Sequence, residues 1–507
     1  MKAKIMLSAI ISIMLLLIPC AFAQQAGQGL GDQTKFQNAL TQDGFDVQRG
    51  QSMSLDMWQQ YCDGVTATAK YNNKGAPYIS AKVPHLSGDI TQIPYTFQLR
   101  PDEAIVFIGV TPPPVTYFSY QPYLLNKYYA QPVPEDLLTS PIQGCGGDPN
   151  CLDVGTSLGD TVNVATIKTI GRDPYSAPMV LIFTPDQGTD ARVRSALQKA
   201  GYPPSIVNTI VFPASMLNLG FGPGHDIFMI LGRNAKWLNG AAGEAAGQAY
   251  MDSLNSTDST KPSPVSVFRV TPKAYSATNL RPFPAPTLRV RGTGKTEMDL
   301  LGKLDEIRDR IISQYTAMGY VVAGEYTSGP GSYDGYDFLQ QMKRAYLDCR
   351  DTIYVGAGAD AFPSNLNYEI RLTDDEFLIM YGVNHTATGK ASYMNLNAYA
   401  KPSQLAIGSV FDTDFAHSTD AYLPGDSEAS LLFAYKVSWQ CGDEPFCLQM
   451  STGDCARLQL DGPGHAADRA NTQLAFATRS YLEPATKIGP AFTEVVYHRM
   501  IKFSSSP

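Results

Sequence analysis

Leu99–Tyr120 reads LRPDEAIVFIGVTPPPVTYFSY, and at an offset of 273 residues Leu372–Tyr393 reads LTDDEFLIMYGVNHTATGKASY. Aligned without a gap, the two stretches share seven of 22 positions, including an Asp-Glu pair before an apolar run and a final Ser-Tyr pair. Each stretch contains β-branched or aromatic runs separated by turn residues, a pattern typical of a hairpin. The sequence therefore predicts that one hairpin occurs twice in the chain.

Other features recur in the same order on both sides of this hairpin. The motif Gly-Pro-Gly-His follows a Leu-polar-Leu triplet twice, at Gly222–His225 and at Gly462–His465. Strand-like runs then end the two halves, at Val265–Val270 and at Thr493–His498. This order predicts an internal duplication: an α+β, β-rich fold with two tandem homologous domains, mainly antiparallel sheets and a pseudo-twofold arrangement.

Composition shifts and turn residues set the expected domain boundaries. The clearest helix is predicted from Glu297 to Met318, with Thr296 as its N-cap and apolar residues on one face. The expected organisation is a signal peptide at 1–23, a flexible leader at 24–35, a first α+β repeat at 36–271, a Pro- and Arg-rich linker at 272–295 and a second α+β repeat at 296–507.

The N-terminus has the pattern of a secretory signal peptide. Lys2 and Lys4 precede an apolar run, and Ala21-Phe22-Ala23 is a small-x-small cleavage site. Cys20 leaves lipoprotein processing as an alternative, although Pro19 fits that site poorly. We expect export to the periplasm or the extracellular space. No later stretch has 18 consecutive apolar residues, so we expect no transmembrane anchor after cleavage.

Composition and charge limit the classes of function. The 507 residues are 44% hydrophobic and 17% charged, with a formal net charge of -8. That apolar fraction is sufficient for a packed core and excludes a wholly disordered chain. The acidic balance argues against nucleic acid as a partner, which needs clustered lysine and arginine. The composition does not indicate an oligomeric state.

The cysteines are expected to form disulfides, because exported proteins fold in an oxidising environment. Two short loops look alike: CGGDPNC between Cys145 and Cys151, and CGDEPFC between Cys441 and Cys447. Both contain the Gly, Asp and Pro of a tight turn. Structural zinc is disfavoured because the chain has no C-x2-C pair. Seven cysteines follow the signal peptide, so at least one cannot pair within the chain.

Two groups of residues are candidate metal or ligand sites. His225 with Asp226, and His465 with Asp468, combine imidazole and carboxylate after the Gly-Pro-Gly turns, which suits zinc. The alternative is that these turns only shape the loop before a strand. Asp412, Asp414 and Asp420 place oxygen donors suited to calcium within nine residues; the alternative is a solvated loop. No other cofactor is evident.

Two further motifs have a chemical and a structural interpretation. Ser157 lies in a G-x-S-x-G pattern, where a nucleophilic serine needs a strand before it and a helix after it. The β-branched residues that follow favour a simple turn instead. Asn255 and Asn384 begin glycosylation sequons, which matter only if the source glycosylates exported proteins.

Four short segments carry a family resemblance: Tyr117-Phe118-Ser119-Tyr120, Ser157-Leu158-Gly159-Asp160, Val180-Leu181-Ile182-Phe183 and Ile227–Arg233. Their order resembles that of exported bacterial proteins of unknown function with jelly-roll-like β-sandwich domains. The resemblance covers about half of the first repeat and less of the second. It implies β-rich sandwich domains, and it supplies no catalytic residues.

The sequence thus favours an exported binding or surface-associated module. Its 28 tyrosines suggest a carbohydrate or a protein as ligand, although aromatic residues at this spacing also fill cores. The alternative is a secreted hydrolase with a site between the two halves, in which His225, His465 and Ser157 would act.

Overall fold

The structure is a computed structural model that describes residues 30–135, 147–258, 262–331, 334–359 and 364–505. The expected signal peptide, part of the expected leader and Cys145 lie outside these residues. Strands dominate the described part of the chain, and most neighbouring strands are antiparallel. The fold is therefore β-rich with a smaller helical component.

The strands, in chain order, are β1 (Phe45–Leu55), β2 (Tyr78–Lys82), β3 (Ala104–Val110), β4 (Val115–Tyr128), β5 (Cys151–Ser157), β6 (Val162–Asn163), β7 (Pro178–Thr184), β8 (Val207–Val211), β9 (Ile227–Trp237), β10 (Val265–Pro272), β11 (Tyr320–Thr327), β12 (Gly329–Pro330), β13 (Thr352–Ala357), β14 (Phe377–Val383), β15 (Tyr393–Ala400), β16 (Leu405–Phe411), β17 (Leu432–Ser438), β18 (Cys447–Gln449), β19 (Leu474–Tyr481) and β20 (Arg499–Ser505).

The α-helices are α1 (Gln33–Gln42), α2 (Met57–Cys62), α3 (Gln187–Lys199), α4 (Gly240–Leu254), α5 (Leu301–Ala317) and α6 (Ala466–Asn471). Aspartates cap three of them: the side chains of Asp32, Asp56 and Asp186 accept backbone N–H groups of α1, α2 and α3. No helix in the described ranges combines the length and the apolar character needed to cross a membrane.

The chain divides into two compact units that are not contiguous in sequence. The first contains the residues up to Leu55, Tyr78–Tyr128 and Val162–Thr287. The second contains Asp56–Pro77, Tyr129–Thr161 and all residues from Leu288. The sequence placed 36–271 in one repeat, whereas two segments of that range belong to the second unit.

The first unit has one sheet in the order β4-β9-β2-β1-β10-β3-β7-β8, with β6 beside β4. Its neighbouring strands are antiparallel except for the parallel pair β7 and β8. Helices α1 and α3 pack against β1, β3, β7 and β10, where their apolar faces form one core with the strands. Phe36 and Leu197 are fully buried in this core.

The second unit has two five-stranded sheets, β11-β20-β14-β17-β18 and β12-β13-β19-β15-β16. Alternating side chains of β14 divide between two cores, because successive residues of a strand point to opposite faces. Leu378 and Met380 share a core with β15, β16 and β19 of the other sheet. Phe377 and Ile379 pack with α5 on the opposite face. Both faces of the β14 sheet are therefore covered.

Strand prediction was most accurate where an apolar run is bounded by turn residues. β3 (Ala104–Val110) and β14 (Phe377–Val383) coincide with the apolar runs that follow the repeated Asp-Glu pair. The prediction of a strand at Thr493–His498 was wrong, because β20 begins at Arg499. Glu494 in this segment accepts hydrogen bonds from the backbone N–H groups of Thr293 and Gly294. The segment is thus fixed by loop contacts instead of a strand ladder.

The start of the predicted Glu297–Met318 helix also differs. A 3₁₀ turn comes first, and α5 begins at Leu301 without a side-chain cap from Thr296. The Glu297 carboxylate accepts hydrogen bonds from His385 Nδ1 and from the backbone N–H of Val496. Glu297 is committed to these tertiary contacts, so the helix starts after it.

The repeated Asp-Glu motif anchors a buried cation in the first unit. Glu103 accepts the backbone N–H of Arg100 at 2.9 Å, and the Arg269 guanidinium binds its carboxylate at 3.1 and 2.7 Å. Arg269 and Glu103 are both 0% exposed. A third contact joins Arg269 to the carbonyl of Gln98 at 2.8 Å. A second buried carboxylate, that of Asp89, lies 3.7 Å from Arg269 Nη1. Because these groups are dry, each charge depends on its partners.

The same motif has a similar partner in the second unit. Glu376 accepts the backbone N–H of Thr373 at 3.0 Å, and Lys502 Nζ lies 2.7 Å from its carboxylate. Lys502 also donates to the carbonyl of Arg371 at 3.0 Å. This pair is more exposed than Arg269–Glu103, since 16% and 17% of its side chains are accessible.

Two disulfides are described in full. Cys62 is bonded to Cys455 across a sequence separation of 393, and Cys441 to Cys447 across a separation of 6. Cys151 is also disulfide-bonded, whereas Cys145, predicted as its partner, lies outside the described residues. The Cys62–Cys455 bond fixes the segment Asp56–Pro77 within the second unit.

We expect Glu103→Gln to destabilise the first unit by about 3 kcal/mol, because it removes the carboxylate that Arg269 binds at 2.7 Å and leaves only Asp89, 3.7 Å away, as counter-charge. Urea unfolding followed by circular dichroism measures the loss. The matched control is Glu325→Gln in the more exposed pair with Arg308, which should change stability by at most about 1 kcal/mol. Equal effects of the two substitutions would contradict this account of Glu103.

The two disulfides should contribute unequally, since a longer closed loop loses more entropy in the unfolded chain. Cys62→Ser with Cys455→Ser should cost about 5 kcal/mol, and Cys441→Ser with Cys447→Ser about 2 kcal/mol. Differential scanning calorimetry of the two double variants tests the order of their Tm values. A lower Tm for the Cys441 and Cys447 variant would show that the short bridge is the more important one.

Candidate functional site

The second unit contains a cleft of about 430 Å³ beside the end of β17. Its apolar lining consists of Trp439, Met450, Leu460 and Pro463. Its polar lining consists of Gln440, Gln449, Ser451, Asp461 and Arg469, with Gly462 between the two walls. This mixture of apolar surface and a few converging polar groups is typical of a small-molecule site.

One wall of the cleft is built by strands β17 and β18. Their parallel pairing sets Ser438 opposite Gln449, so the residues after both strands come together. Trp439 is 4% exposed, and its indole N–H donates to the carbonyl of Leu372 at 3.0 Å. The Cys441–Cys447 disulfide closes the loop between these strands. The orientation of the indole and the position of both glutamines are thereby fixed.

Arg469 of α6 holds the opposite wall. Its guanidinium binds both carboxylate oxygens of Asp374, at 2.6 and 2.5 Å, and donates to the carbonyls of Leu460 and Gly462 at 2.7 Å each. The hydrogen bonds from Arg469 lower the pKa of Asp374 below its usual value. The loop that carries Asp461 is therefore anchored by a charge-assisted pair.

The polar groups of the cleft are pre-oriented as well. Asp461 accepts the Ser451 hydroxyl at 2.8 Å and the backbone N–H of Thr452 at 3.2 Å. Gln440, Gln449 and Asp461 are exposed and can contact a ligand. The four bonds of Arg469 occupy four of the five N–H groups of a guanidinium. The charge that the cleft offers is therefore mainly that of Asp461.

The first Gly-Pro-Gly-His motif has a structural environment. Asp226 is 0% exposed and accepts the backbone N–H groups of Tyr128 at 2.9 Å and Asn218 at 2.8 Å. Burial raises the pKa of Asp226, and nearby Lys127 opposes the shift. The ring of His225 packs against Gly220, where an added Cβ would lie 2.3 Å from it. Asp226 and His225 thus both contact the backbone of this turn.

The second motif borders the cleft. Gly462 and Pro463 line it, and His465 Nδ1 lies 2.9 Å from Asp468 at the start of α6. The side chain of His465 is 35% exposed. His225 belongs to the first unit and His465 to the second.

The aspartates predicted as calcium ligands form hydrogen bonds with different partners. Asp414 accepts the backbone N–H of Phe411 at 3.0 Å, and Asp420 pairs with His417 at 2.9 Å. Neither contact involves Asp412. Across the described ranges, no three His, Cys, Asp or Glu side chains form a group that could hold a metal ion.

Ser157 is the last residue of β5 and is 0% exposed. Its backbone N–H and its hydroxyl both donate to the carboxylate of Asp348, at 2.8 Å each. Burial raises the pKa of Asp348 to about 6. A buried serine at the end of a strand, followed by a loop instead of a helix, lacks the strand-to-helix turn that exposes a nucleophile.

The two sequons differ in accessibility. Asn255 is exposed directly after α4 and donates to the hydroxyl of Ser54 at 2.5 Å. Asn384 is 7% exposed, and its side-chain oxygen accepts the Thr386 hydroxyl at 2.7 Å. A glycan is compatible with the folded chain at Asn255 and not at Asn384.

The fold also forms a buried cluster of two histidines and a glutamate that the sequence did not indicate. His385 and Glu297 lie 2.9 Å apart and are each 2% exposed in their side chains. Burial works to raise the pKa of Glu297, but His385 and the hydrogen bonds around it hold that pKa below its usual value. Burial, with a smaller effect of His385, lowers the pKa of His498 to about 3. Nothing in the sequence marks these residues as neighbours, because they are separated by 88 residues or more.

No protein-family model and no curated protein sequence matches this chain. Two solved structures have limited similarity to it. The VPA0106 protein from Vibrio parahaemolyticus is 9% identical, with a TM-score of 0.34 over 85% of this chain and 90% of that one. An uncharacterized protein from Burkholderia cenocepacia is 9% identical, with a TM-score of 0.37 over 96% of this chain and 95% of that one.

Proposed function

We propose that this chain is an exported binding protein whose ligand occupies the Trp439–Arg469 cleft. The observation that carries the proposal is that both walls of the cleft are fixed before any ligand arrives. A disulfide closes one wall, and the Arg469–Asp374 pair holds the other. A preorganised site does not lose affinity to the ordering of its own side chains.

Hydrolysis is the second candidate, favoured by the carboxylate-oriented imidazole of His465 near the cleft. The other residues of the predicted hydrolase support it less. Ser157 is buried at the end of β5 and hydrogen-bonded to Asp348, and the ring of His225 is packed against Gly220. Binding therefore accounts for more of the geometry than catalysis does.

We also propose that the two units arose by internal duplication and that the second is a β-sandwich. The series β1-β10-β3-β7-β8 and β11-β20-β14-β17-β18 each contain three antiparallel pairs followed by one parallel pair. Glu103 and Glu376 occupy the same place in both series and bind a cation of the corresponding strand. The shared core of the two sheets supports the sandwich.

Export predicts a definite N-terminus for the mature protein. Expression in a bacterium, osmotic release of the periplasm and intact-mass measurement should give a chain that begins at Gln24. Ala23→Arg, which spoils the small-x-small site, should leave the precursor uncleaved. A lipid mass on Cys20 would support the lipoprotein alternative, and an intact Met1 in the wild-type chain would contradict export through this signal.

The cleft should bind a small polar molecule. We would screen the full mature chain by saturation-transfer NMR against a mixture of neutral sugars, amino acids, dipeptides and nucleosides. At least one compound should give a signal that Gln449→Trp abolishes, because the indole would fill the cleft. Gln248→Trp, at an exposed position of α4 that lies in the other unit, should retain the signal.

Two outcomes would contradict the proposed site. One is the absence of a signal from every compound with the wild-type chain. The other is a signal that Gln449→Trp leaves unchanged, which would place the binding elsewhere. Circular dichroism of both variants must match that of the wild type before the signals are compared.

A further inference from the structure

We infer that the ligand of the Trp439–Arg469 cleft is a neutral carbohydrate, an inference that rests on the proposed binding function. The cleft volume of about 430 Å³ falls in the range of small-molecule sites, about 300–1,000 Å³. That volume suits a few sugar rings, whereas a folded protein would need a broader surface.

The charges of the residues that line the cleft exclude an anionic ligand. Asp461 is exposed in the cleft, and the one cation of the lining, Arg469, is 4% exposed and already neutralised by Asp374. An acidic sugar or a phosphate would meet a carboxylate without a free cation to balance it.

The negative charge of Asp461 would also allow a cationic ligand, but this carboxylate already accepts two hydrogen bonds within the protein. It accepts the Ser451 hydroxyl and the Thr452 N–H, so less of its lone-pair capacity remains for an ammonium group. No aromatic face is exposed beside it either, since Trp439 is 4% exposed and its N–H is bonded to Leu372. A site for a cationic ligand would normally offer more free carboxylate oxygens or an exposed aromatic face, which offset the cost of desolvating the charge of the ligand.

The polar groups match vicinal hydroxyls best. The exposed amides of Gln440 and Gln449 offer donors and acceptors, and Asp461 adds an acceptor. Part of this capacity is already used, because Gln440 hydrogen-bonds to Asp374 and the Gln449 oxygen accepts the Cys441 N–H at 3.5 Å. Alternating donors and acceptors are what a row of hydroxyl groups requires, because each hydroxyl both donates and accepts. Exposed Pro463 supplies the apolar surface against which the C–H face of a sugar ring can pack, since Met450 and Leu460 are only 1% and 2% exposed.

Isothermal titration of the full mature chain tests this inference. The probes are maltotriose, cellotriose and triacetylchitotriose as neutral sugars, trigalacturonate as the anionic analogue and the deacetylated chitosan trimer as the cationic one. At least one neutral trisaccharide should bind, and neither charged analogue should bind within tenfold of it.

Gln449→Ala should weaken binding of the neutral sugar about tenfold, because it removes the exposed amide from the cleft. Gln248→Ala is the matched control and should bind as the wild type does. Equal affinity in Gln449→Ala, or tighter binding of a charged analogue, would overturn the inference.

The failure of this inference can be told from the failure of the proposed function. A non-sugar ligand whose NMR signal is abolished by Gln449→Trp would refute the carbohydrate and support the binding site. Failure of all trisaccharides together with the absence of any such NMR signal would refute both.

Discussion

The central constraint in the first unit is the burial of one charge pair. Glu103 lies directly before β3 and Arg269 lies in β10, and the two strands are paired with Arg269 opposite Ile105. A slip of one residue in this pairing would turn the guanidinium to the other face of the sheet and leave the carboxylate alone. The pair therefore specifies the register of the two strands in the middle of the sheet. The carbonyl of Gln98 receives a donor from the same guanidinium, so the approach to β3 is fixed as well.

Much of the strand content could be read from the sequence, because each core strand is an apolar run closed by turn residues. β3 and β14 are the clearest examples. The predicted helix start and the predicted C-terminal strand were wrong, because one residue in each segment binds a partner that is distant in sequence. Glu297 binds His385 instead of beginning α5, and Glu494 binds the Thr293 loop instead of extending β20. Local patterns contain no information about such distant partners.

The cleft could not be predicted for the same reason. Its residues come from the loop after β17, the end of β18 and the turn before α6. The sequence did indicate the Cys441–Cys447 loop and the second Gly-Pro-Gly-His turn, and both border the cleft, but nothing showed that they meet. Ser157 and Asp226, which were candidates because of their chemical type, are both 0% exposed. Asp226 accepts two backbone N–H groups, and Ser157 donates its N–H and its hydroxyl to Asp348. A reactive side chain in a short motif is therefore weak support for a site until its burial is known.

The path of the chain also sets an order of assembly. Asp56–Pro77 is made early, but most of the unit to which it belongs is made from residues beyond Leu288. During synthesis from the N-terminus, this segment must wait while the first unit gains its strands. Cys62 is synthesised long before its disulfide partner, because Cys455 follows 393 residues later. Cys145 and Cys151 are synthesised before Cys455. Oxidation during this interval can join Cys62 to the wrong thiol. A correct Cys62–Cys455 bond thus requires that an early mispaired disulfide can be exchanged for the native one.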